Sequence, residues 1–229
     1  MDERLAKLFR HTVEEYISTG EPVGSSALVE RYHLDVSPAT VRNWFAELDQ
    51  EGLLTQAHTS GGRLPTEQGF KLYIERFVAP RPANKRERDV MGRVVETKDA
   101  RSIKLLARTL SDLSGLAAFV GFSSRDTFYT GLSQLFGQTE FQNWQHVVSL
   151  SDVLDHLDEA LEELGRERFA PPQIRLGATC PFGPVCGTVL LSTPSGIIGL
   201  LGPVRMDYQH ALSLMVTAEE LLGSVTRSP

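Results

Sequence analysis

The chain is organised around the stretch Ser37-Pro-Ala-Thr-Val-Arg-Asn-Trp-Phe-Ala-Glu-Leu48, which is followed by His58-Thr-Ser-Gly-Gly-Arg-Leu-Pro65. Ser37 is a favourable N-cap residue, and Pro38 fits the first helical position because its missing N–H would have no helical partner there. The first stretch therefore predicts a helix that begins after Ser37, runs to about Glu51 and ends at Gly52. The glycines of the second stretch predict a tight turn.

This predicted helix has one apolar face and one short, polar face. The apolar positions recur at helical spacing and should face neighbouring helices: Val41, Trp44, Phe45 and Leu48. The opposite face carries Ala39, Arg42, Asn43 and Ala46, with Thr40 at its flank. Small residues with one amide and one guanidinium suit a helix that must enter a groove.

Two helical patterns precede this helix. Residues 3–19 place apolar side chains on one face, and Gly20-Glu-Pro22 ends that helix. A short helix follows from Ser25 or Ser26 to about Tyr32. Two helices, a turn and a third helix with a polar outer face make a helix-turn-helix, whose third helix enters the major groove of DNA. In that groove Arg can pair with guanine and Asn with adenine.

A hairpin is predicted after the third helix. Residues 53–58 alternate loosely, Ser60-Gly-Gly62 supplies the turn, and Arg63-Leu64 forms the return. The pattern predicts the wing of a winged helix, with His58 and Arg63 beside its tip.

The charge of the chain argues against a general affinity for nucleic acid. Its 229 residues have a formal net charge of −6, and residues 1–85 have 10 Lys and Arg against 12 Asp and Glu. Phosphate attraction is the main source of non-specific affinity, so DNA binding must depend on where the charges lie. A winged-helix adaptor that binds protein instead of DNA stays an alternative. Arg42 and Arg63 could be solvated surface residues, and Asn43 could cap or brace the turn.

The rest of the sequence predicts a second domain of the α+β class. Residues 79–86 change composition abruptly and predict a linker between domains at 1–78 and 87–229. Helical patterns cover 86–98, 100–113, most of 137–168, and about 206–225. Short apolar strands are predicted at 116–122, 173–179, 186–192 and 196–202. Strands flanked by helices at both ends favour helices packed on an antiparallel sheet.

The sequence predicts neither catalysis nor a bound metal or cofactor. It contains no Ser/His/Asp or Cys/His arrangement, so we expect no enzyme activity. Cys180 and Cys186 lack the partners of a zinc site and are predicted to be reduced structural thiols. A solvated helix face is preferred to a metal site for the acidic group Asp152, Asp155, His156 and Glu159. The chain has no membrane-length apolar run and no apolar signal region, so a cytoplasmic location is expected.

Several segments resemble those of one known family, the heat-inducible transcription repressor HrcA. The N-terminal matches are Gly20-Glu-Pro-Val-Gly-Ser-Ser26, Val36-Ser-Pro-Ala-Thr-Val-Arg-Asn43, Glu51-Gly-Leu53, His58-Thr-Ser-Gly-Gly-Arg63 and Gly69-Phe-Lys-Leu-Tyr73. The later matches are Leu110-Ser-Asp-Leu-Ser114, Gln138-Thr-Glu-Phe141 and Gly199-Leu-Leu-Gly-Pro-Val-Arg-Met-Asp-Tyr208. They span both predicted domains in the family's order.

The resemblance implies a winged-helix repressor with a GAF-like second domain. Such a protein binds double-stranded operator DNA with an inverted repeat, upstream of chaperone genes, as a homodimer, and leaves it on heat shock. A GroEL-type chaperonin is implied as a further partner. Carried over by position, the DNA-binding residues would be Ser37, Ala39, Thr40, Arg42 and Asn43 in the recognition helix, and His58, Ser60 and Arg63 in the wing.

The chain resembles a shortened member of that family. Phe119-Val-Gly-Phe122 passes almost directly into Phe128-Tyr-Thr-Gly131, so much of the middle region that family members share is absent. Residues 87–229 would then form a reduced GAF-like domain for dimerisation and regulation. A winged-helix regulator that responds to a small-molecule ligand is the alternative function for such a chain.

Overall fold

The computed structural model describes residues 1–57, 61–95, 97, 99–123, 126–142, 157–164, 167–193 and 195–224. The chain divides into two compact units, Met1–Val78 and Ala79–Pro229. Among the described helices, none combines the length and the apolar character needed to cross a bilayer.

The first unit consists of four helices and a small hairpin. Its helices are α1 (Glu3–Thr19), α2 (Ser25–Arg31), α3 (Pro38–Gln50) and α4 (Glu67–Phe77), and its strands are β1 (Leu54–Gln56) and β2 (Arg63–Pro65). The core is filled from all four helices and from β1, by side chains that include Phe9, Val13, Leu28, Val41, Phe45, Leu48, Leu54 and Phe70. This order of elements is that of a winged helix-turn-helix.

Side-chain caps begin three of these helices, and the one at Ser37 was predicted. Asp2 accepts from the Leu5 amide, Ser37 from the Thr40 amide, and Thr66 from the Gly69 amide. Each such cap stabilises a helix by about 1 kcal/mol. After α3, Gly52 has a φ of 72°, in the left-handed region that favours glycine.

The second unit is a five-stranded antiparallel sheet with helices on both faces. Its helices are α5 (Lys85–Gly92), α6 (Ala100–Ser114), α7 (Leu132–Phe136), α8 (Leu157–Leu164) and α9 (Tyr208–Ser224). Its strands are β3 (Ala117–Ser123), β4 (Asp126–Thr130), β5 (Gln173–Leu176), β6 (Cys186–Thr193) and β7 (Gly196–Pro203), in the order β4-β3-β7-β6-β5. The predicted α+β class with an antiparallel, GAF-like sheet is confirmed.

Each face of the sheet has its own apolar layer. One layer joins strand residues to α8 and to the loop before β6, through Phe119, Leu161, Phe169, Phe182, Leu190 and Ile197. Side chains alternate along a strand, so Ala118 and Val120 of β3 point to the other face. Helices α6 and α9 contact the sheet there.

Two predictions for the second unit are wrong. The helix predicted at 86–98 ends at Gly92, and the chain turns so that Val95 is buried. The strand predicted at 173–179 stops at Leu176, because Gly177, with a φ of 56°, begins a 3-10 turn over Gly177–Thr179. The prediction that 137–168 is mostly helical agrees with the described part of that range, which contains a 3-10 turn at Thr139–Gln142 and α8, while residues 143–156 and 165–166 lie outside the described residues.

Two smaller differences concern strand β4 and the side chain of Trp44. Strand β4 pairs with β3 as a hairpin and is absent from the predicted strands. Trp44 was predicted to face inward, but its position on α3 is only half-buried, whereas Val41, Phe45 and Leu48 are fully buried. The apolar stripe of α3 is therefore narrower than the sequence pattern indicates.

Candidate nucleic-acid interface

The outer face of α3 is open to solvent over its first three turns. Ala39, Arg42, Asn43 and Ala46 are exposed, and Thr40 is half-buried, as the predicted face requires. Glu47 is exposed as well, and sequence reasoning missed it, although it lies four residues after Asn43. A carboxylate in a major groove can accept from the amino group of cytosine, so Glu47 belongs to this face chemically.

Two of the predicted residues hold the start of α3. The Ser37 Oγ atom accepts from the Thr40 amide at 3.1 Å and lies 3.0 Å from Thr40 Oγ1. These bonds fix the first turn of the helix, because the first amides of a helix have no backbone partners. Ser37 and Thr40 therefore have a structural role in the cap whatever else they contact.

Arg42 connects α3 to the beginning of α2. Its Nη1 atom donates to Ser25 Oγ at 3.4 Å, near the upper limit for a hydrogen bond. Asn43, one position further, is exposed. Both side chains can therefore reach a ligand in front of α3, with Arg42 turned toward α2.

The wing is built from three segments of chain. Strand β1 pairs with β2 through Gln56 and Arg63, and the backbone of Arg63 also bonds to Val23 in both directions at 2.9 Å. A Cβ atom on Gly62 would lie 2.5 Å from the carbonyl carbon of Val23, so only glycine fits this close approach. The wing is thus tied to the segment between α1 and α2.

Arg63 joins the wing to the recognition helix. Its Nε atom lies 3.3 Å from Asp49 Oδ2, and its side chain is only 16% exposed. The predicted wing cation is therefore partly neutralised and points toward α3. His58 and Ser60, the other two predicted wing residues, lie outside the described residues.

An open groove runs between these parts, with a volume of about 490 Å³. Its walls come from the start of α2, the outer face of α3 and the wing: Gly24, Ser25, Ser26, Ala27, Arg42, Phe45, Gln56, Gly61, Gly62 and Arg63. Sequence reasoning missed Ser25 and Gln56, because only the packing of α2 and the wing around α3 brings them beside Arg42. The groove offers hydroxyl, amide, guanidinium and glycine backbone groups, which are the groups that bind phosphates and base edges.

A ligand-sensing function of the second unit would require a cavity in that unit. The space beside Phe119, Tyr129 and Phe182 is about 10 Å³, which is no larger than one water-sized probe. Phe119 and Phe182 fill this side of the sheet, with ring centroids 4.8 Å apart. Among the described residues, this side of the sheet therefore has no room for a ligand, whereas an open cleft of about 520 Å³ lies elsewhere in the unit, beside Gly121, Leu161 and Gly196.

The cysteines and acidic residues show no binding chemistry in the part of the chain that the structure describes. Cys180 and Cys186 are buried free thiols, and burial raises the pKa of each to about 12. Such thiols stay protonated and unreactive. The described residues contain no group of three or more potential metal ligands, while Asp152, Asp155 and His156 lie outside them.

Comparison with known proteins identifies relatives along the whole chain. A heat-inducible transcription repressor HrcA of Pseudarthrobacter chlorophenolicus is 42% identical over 230 aligned residues, which cover 99% of this chain and 66% of the relative. The HrcA repressor of Acidothermus cellulolyticus is 46% identical over 114 residues, covering 47% of this chain and 34% of the relative. The chain thus spans about one third to two thirds of the length of these relatives.

A solved structure supports the fold independently. The crystal structure of a hypothetical protein superposes with a TM-score of 0.72 at 15% identity, covering 98% of each chain. In sequence, residues 71–212 match the family model described as the HrcA protein C-terminal domain. This match covers more than half of the chain, and helices α1 to α3 and the wing precede it, so the chain belongs to the HrcA family.

Proposed function

We propose that this chain is a DNA-binding repressor of heat-shock genes, which binds an inverted-repeat operator as a homodimer and leaves it on heat stress. The observation that carries the proposal is the outer face of α3, where Arg42 and Asn43 stand beside the groove that the wing borders. A helix with an exposed guanidinium and an exposed amide can read guanine and adenine by paired hydrogen bonds.

The division of roles follows from the geometry of the first unit. The outer face of α3 reads base edges in the major groove, and the wing contacts the adjacent backbone. The residues that serve DNA are Ser37, Ala39, Thr40, Arg42, Asn43, His58, Ser60 and Arg63. Within this set Arg42 and Asn43 carry base specificity, whereas Ser37 shapes the helix end and Arg63 positions the wing through Asp49.

The dimer follows from the symmetry of an inverted repeat. Two half-sites on one face of a duplex are bound by two recognition helices related by a two-fold axis. The second unit is the part of the chain that brings the two together in this proposal. Because the first unit carries few free cations, a single copy binds weakly and the paired copy supplies most of the affinity.

The response to heat follows from marginal stability. The matched relatives are named heat-inducible repressors, and a fold with a stability of about 5–15 kcal/mol loses a large share of its active form after a modest loss of free energy. If a GroEL-type chaperonin refolds the repressor, the amount of active repressor would depend on the folding capacity available in the cell.

The experiment is a titration of a labelled inverted-repeat operator with the full chain at two salt concentrations, with the mass of the complex measured alongside. Arg42→Ala should weaken specific binding by about 1–3 kcal/mol and relax the base preference at one position of each half-site. Arg76→Ala is the matched control, because Arg76 is exposed on α4 of the same unit. A complex with the mass of one protomer, or equal affinity for scrambled DNA, would contradict the proposal.

The heat response is tested with the same operator complex. Warming should release the repressor, and added GroEL-type chaperonin with ATP should restore binding after cooling. A complex that stays bound through heat-shock temperatures and ignores the chaperonin would remove this part of the proposal without affecting operator recognition.

A further inference from the structure

The charge of this chain is distributed unevenly along its length. Residues 85–108 have 8 Lys and Arg against 4 Asp and Glu, whereas the rest of the chain has 15 against 25. A strongly basic segment therefore lies inside an acidic protein. It contains α5 and the first part of α6, the first two helices of the second unit.

Helix α6 presents three of these cations on one side. Arg101, Lys104 and Arg108 are three and four residues apart, a spacing that places side chains on the same helix face. Arg101 and Arg108 are exposed, and Lys104 is 37% exposed. The opposite side of α6 is buried against the sheet through Ile103, Leu106, Ala107 and Leu110.

Two aromatic rings at the β3–β4 hairpin hold the cations in position. The Lys104 Nζ atom lies 5.1 Å from the ring centroid of Phe122 and 5.8 Å from that of Phe128. The Arg108 Cζ atom lies 5.4 Å from the centroid of Phe128. Cation–π contacts orient a cation without using its N–H donors, which stay available to an acceptor on the outer side.

Acidic side chains neutralise little of this surface. Asp126 lies 3.7 Å from the Lys104 Nζ atom, and the Asp99 carboxylate is occupied as the N-cap of α6, where it accepts from the Ser102 amide at 2.8 Å. Within the described ranges Arg101 and Arg108 form no ion pair. Local ion pairing therefore reduces the charge of the face at Lys104 and leaves the charges of Arg101 and Arg108 unpaired within those ranges.

We propose that this basic face of α6, formed by Arg101, Lys104 and Arg108, binds phosphate groups of duplex DNA. The inference rests on the proposed function and deepens it, because it assigns a DNA contact to the second unit as well as to the winged helix. It also accounts for the charge of residues 1–85, where acidic residues outnumber basic ones by 12 to 10. The basic face supplies the sequence-independent attraction to phosphates that the first unit lacks.

The shape and composition of the face favour a polyanion over a protein partner. Arg101 and Arg108 are separated by about 10 Å along the helix axis, a length over which one DNA strand presents about three phosphates. A protein interface would need an apolar centre. The large exposed apolar side chain on this face is Leu105, at 37% exposure, which is too small for such a centre.

The test compares the salt dependence of operator binding for the full wild-type chain and the double variant Arg101→Gln/Arg108→Gln. The slope of log affinity against log salt should become less steep by about 1.8 per protomer, because each phosphate contact contributes about 0.9. Affinity at ~0.1 M salt should fall on the order of tenfold to a hundredfold, with the preference for the operator over scrambled DNA unchanged.

The matched control is Arg168→Gln/Arg175→Gln, which changes the net charge equally at another part of the second unit. Arg168 is exposed, and Arg175 lies over the ring of Phe169 with its Cζ atom 6.0 Å from the centroid, as Arg108 lies over Phe128. Unlike Arg108, Arg175 also pairs with Glu167 at 2.8 Å, so the control changes the net charge equally but removes one ion pair. The control variant should keep the wild-type slope. The single variant Arg101→Gln should give about half of the double variant's effect, and thermal melting should show that all variants are folded.

The outcomes separate the inference from the proposed function. If wild type binds the operator specifically and Arg101→Gln/Arg108→Gln keeps its salt slope, the basic face does not contact DNA and the inference falls alone. If both double variants lose the same slope, net charge is the cause and the inference falls as well. If wild type binds no operator at any salt concentration, the proposed function and the inference fall together.

Discussion

Gln209 forms two hydrogen bonds with the backbone of Ala79. Its Oε1 atom accepts from the Ala79 amide at 3.0 Å, and its Nε2 atom donates to the Ala79 carbonyl oxygen at 2.9 Å. Four residues later in the chain, the Ala83 amide donates to Thr217 Oγ1 at 2.8 Å. Residues 79–83, which the sequence assigns to a linker, are thus bonded to α9 of the second unit.

Replacing Gln209 with Ala should free this segment while leaving the sheet intact. The Ala79 amide should lose most of its protection from hydrogen exchange, because its acceptor is removed, and the stability of the chain should fall by only about 1 kcal/mol. Hydrogen exchange at single-residue resolution measures this. Thr217→Val should act in the same way at Ala83 and not at Ala79. Unchanged protection of Ala79 in Gln209→Ala would show that the side chain does not hold the segment.

Arg205 connects two distant parts of the second unit, and each part contains one of the segments that resemble the HrcA family. Its guanidinium pairs with the Glu140 carboxylate and donates to Gln138 Oε1 at 3.1 Å. Both charged groups are mostly buried, with side-chain exposures of 13% and 22%. The pair therefore fastens the 3-10 turn at Thr139–Gln142 to the segment between β7 and α9.

Removing one partner of this pair should lower the stability of the second unit more than removing both partners. Arg205→Ala should destabilise the second unit by about 2–4 kcal/mol, because it leaves the Glu140 carboxylate partly buried beside an uncharged residue. Adding Glu140→Gln to Arg205→Ala should recover part of the loss. Denaturant unfolding of the two single variants and the double variant measures the coupling, and strictly additive losses would contradict it.

The first unit was predictable from sequence because its signals are local. Asp2, Ser37 and Thr66 mark helix starts within three residues of the amides they bind. The exposed face of α3 also follows from spacing along one helix. The groove does not, because Ser25 and Gln56 come beside Arg42 only when the wing and α2 pack around α3.

The second unit was less predictable because its organising contacts are long-range. Arg205 and Gln138 lie 67 residues apart, so no local pattern links them. Strand β4 is short and lies at the sheet edge, where half-exposed side chains weaken the alternation that indicates a strand. The strand predicted at 173–179 was too long because the sequence does not show that Gly177 adopts a positive φ and turns the backbone.

Position 199 requires glycine because the ring of Phe119 lies against it. Gly199 of β7 pairs with Phe119 of β3, and a Cβ atom on Gly199 would lie 2.2 Å from Cζ of Phe119. Gly199→Ala should therefore destabilise the second unit by about 1–3 kcal/mol through overpacking. Gly223→Ala in α9 is the control: nothing lies within 4 Å of its added Cβ atom, and alanine favours a helix.

A second substitution that relieves the overpacking in Gly199→Ala tests this contact more directly than the single variant. Phe119→Leu in the same chain makes room for the new methyl group and should recover part of the lost melting temperature. If Gly199→Ala melts at the wild-type temperature, the contact with Phe119 is not tight in solution.

His11 makes the first unit sensitive to mild acid. Its ring stacks on Tyr32 with centroids 4.1 Å apart, and burial lowers the pKa of His11, although Glu14 at 3.6 Å opposes the shift. The folded unit therefore favours neutral His11 more than the unfolded chain does. The contribution to stability is complete above the unfolded pKa of about 6.5 and decreases as pH falls through that value toward the folded pKa.

Lowering the pH from about 7.5 to about 5.5 should accordingly reduce the protection factors of α1 amides in wild type. His11→Gln should remove most of this pH dependence, because glutamine does not titrate, while lowering protection somewhat at the higher pH through lost stacking. His33→Asn is the matched control, since His33 is exposed in the turn before α3 and its replacement should leave the profile unchanged. Hydrogen exchange at the two pH values measures the effect, and a full wild-type pH dependence in His11→Gln would assign it to another group.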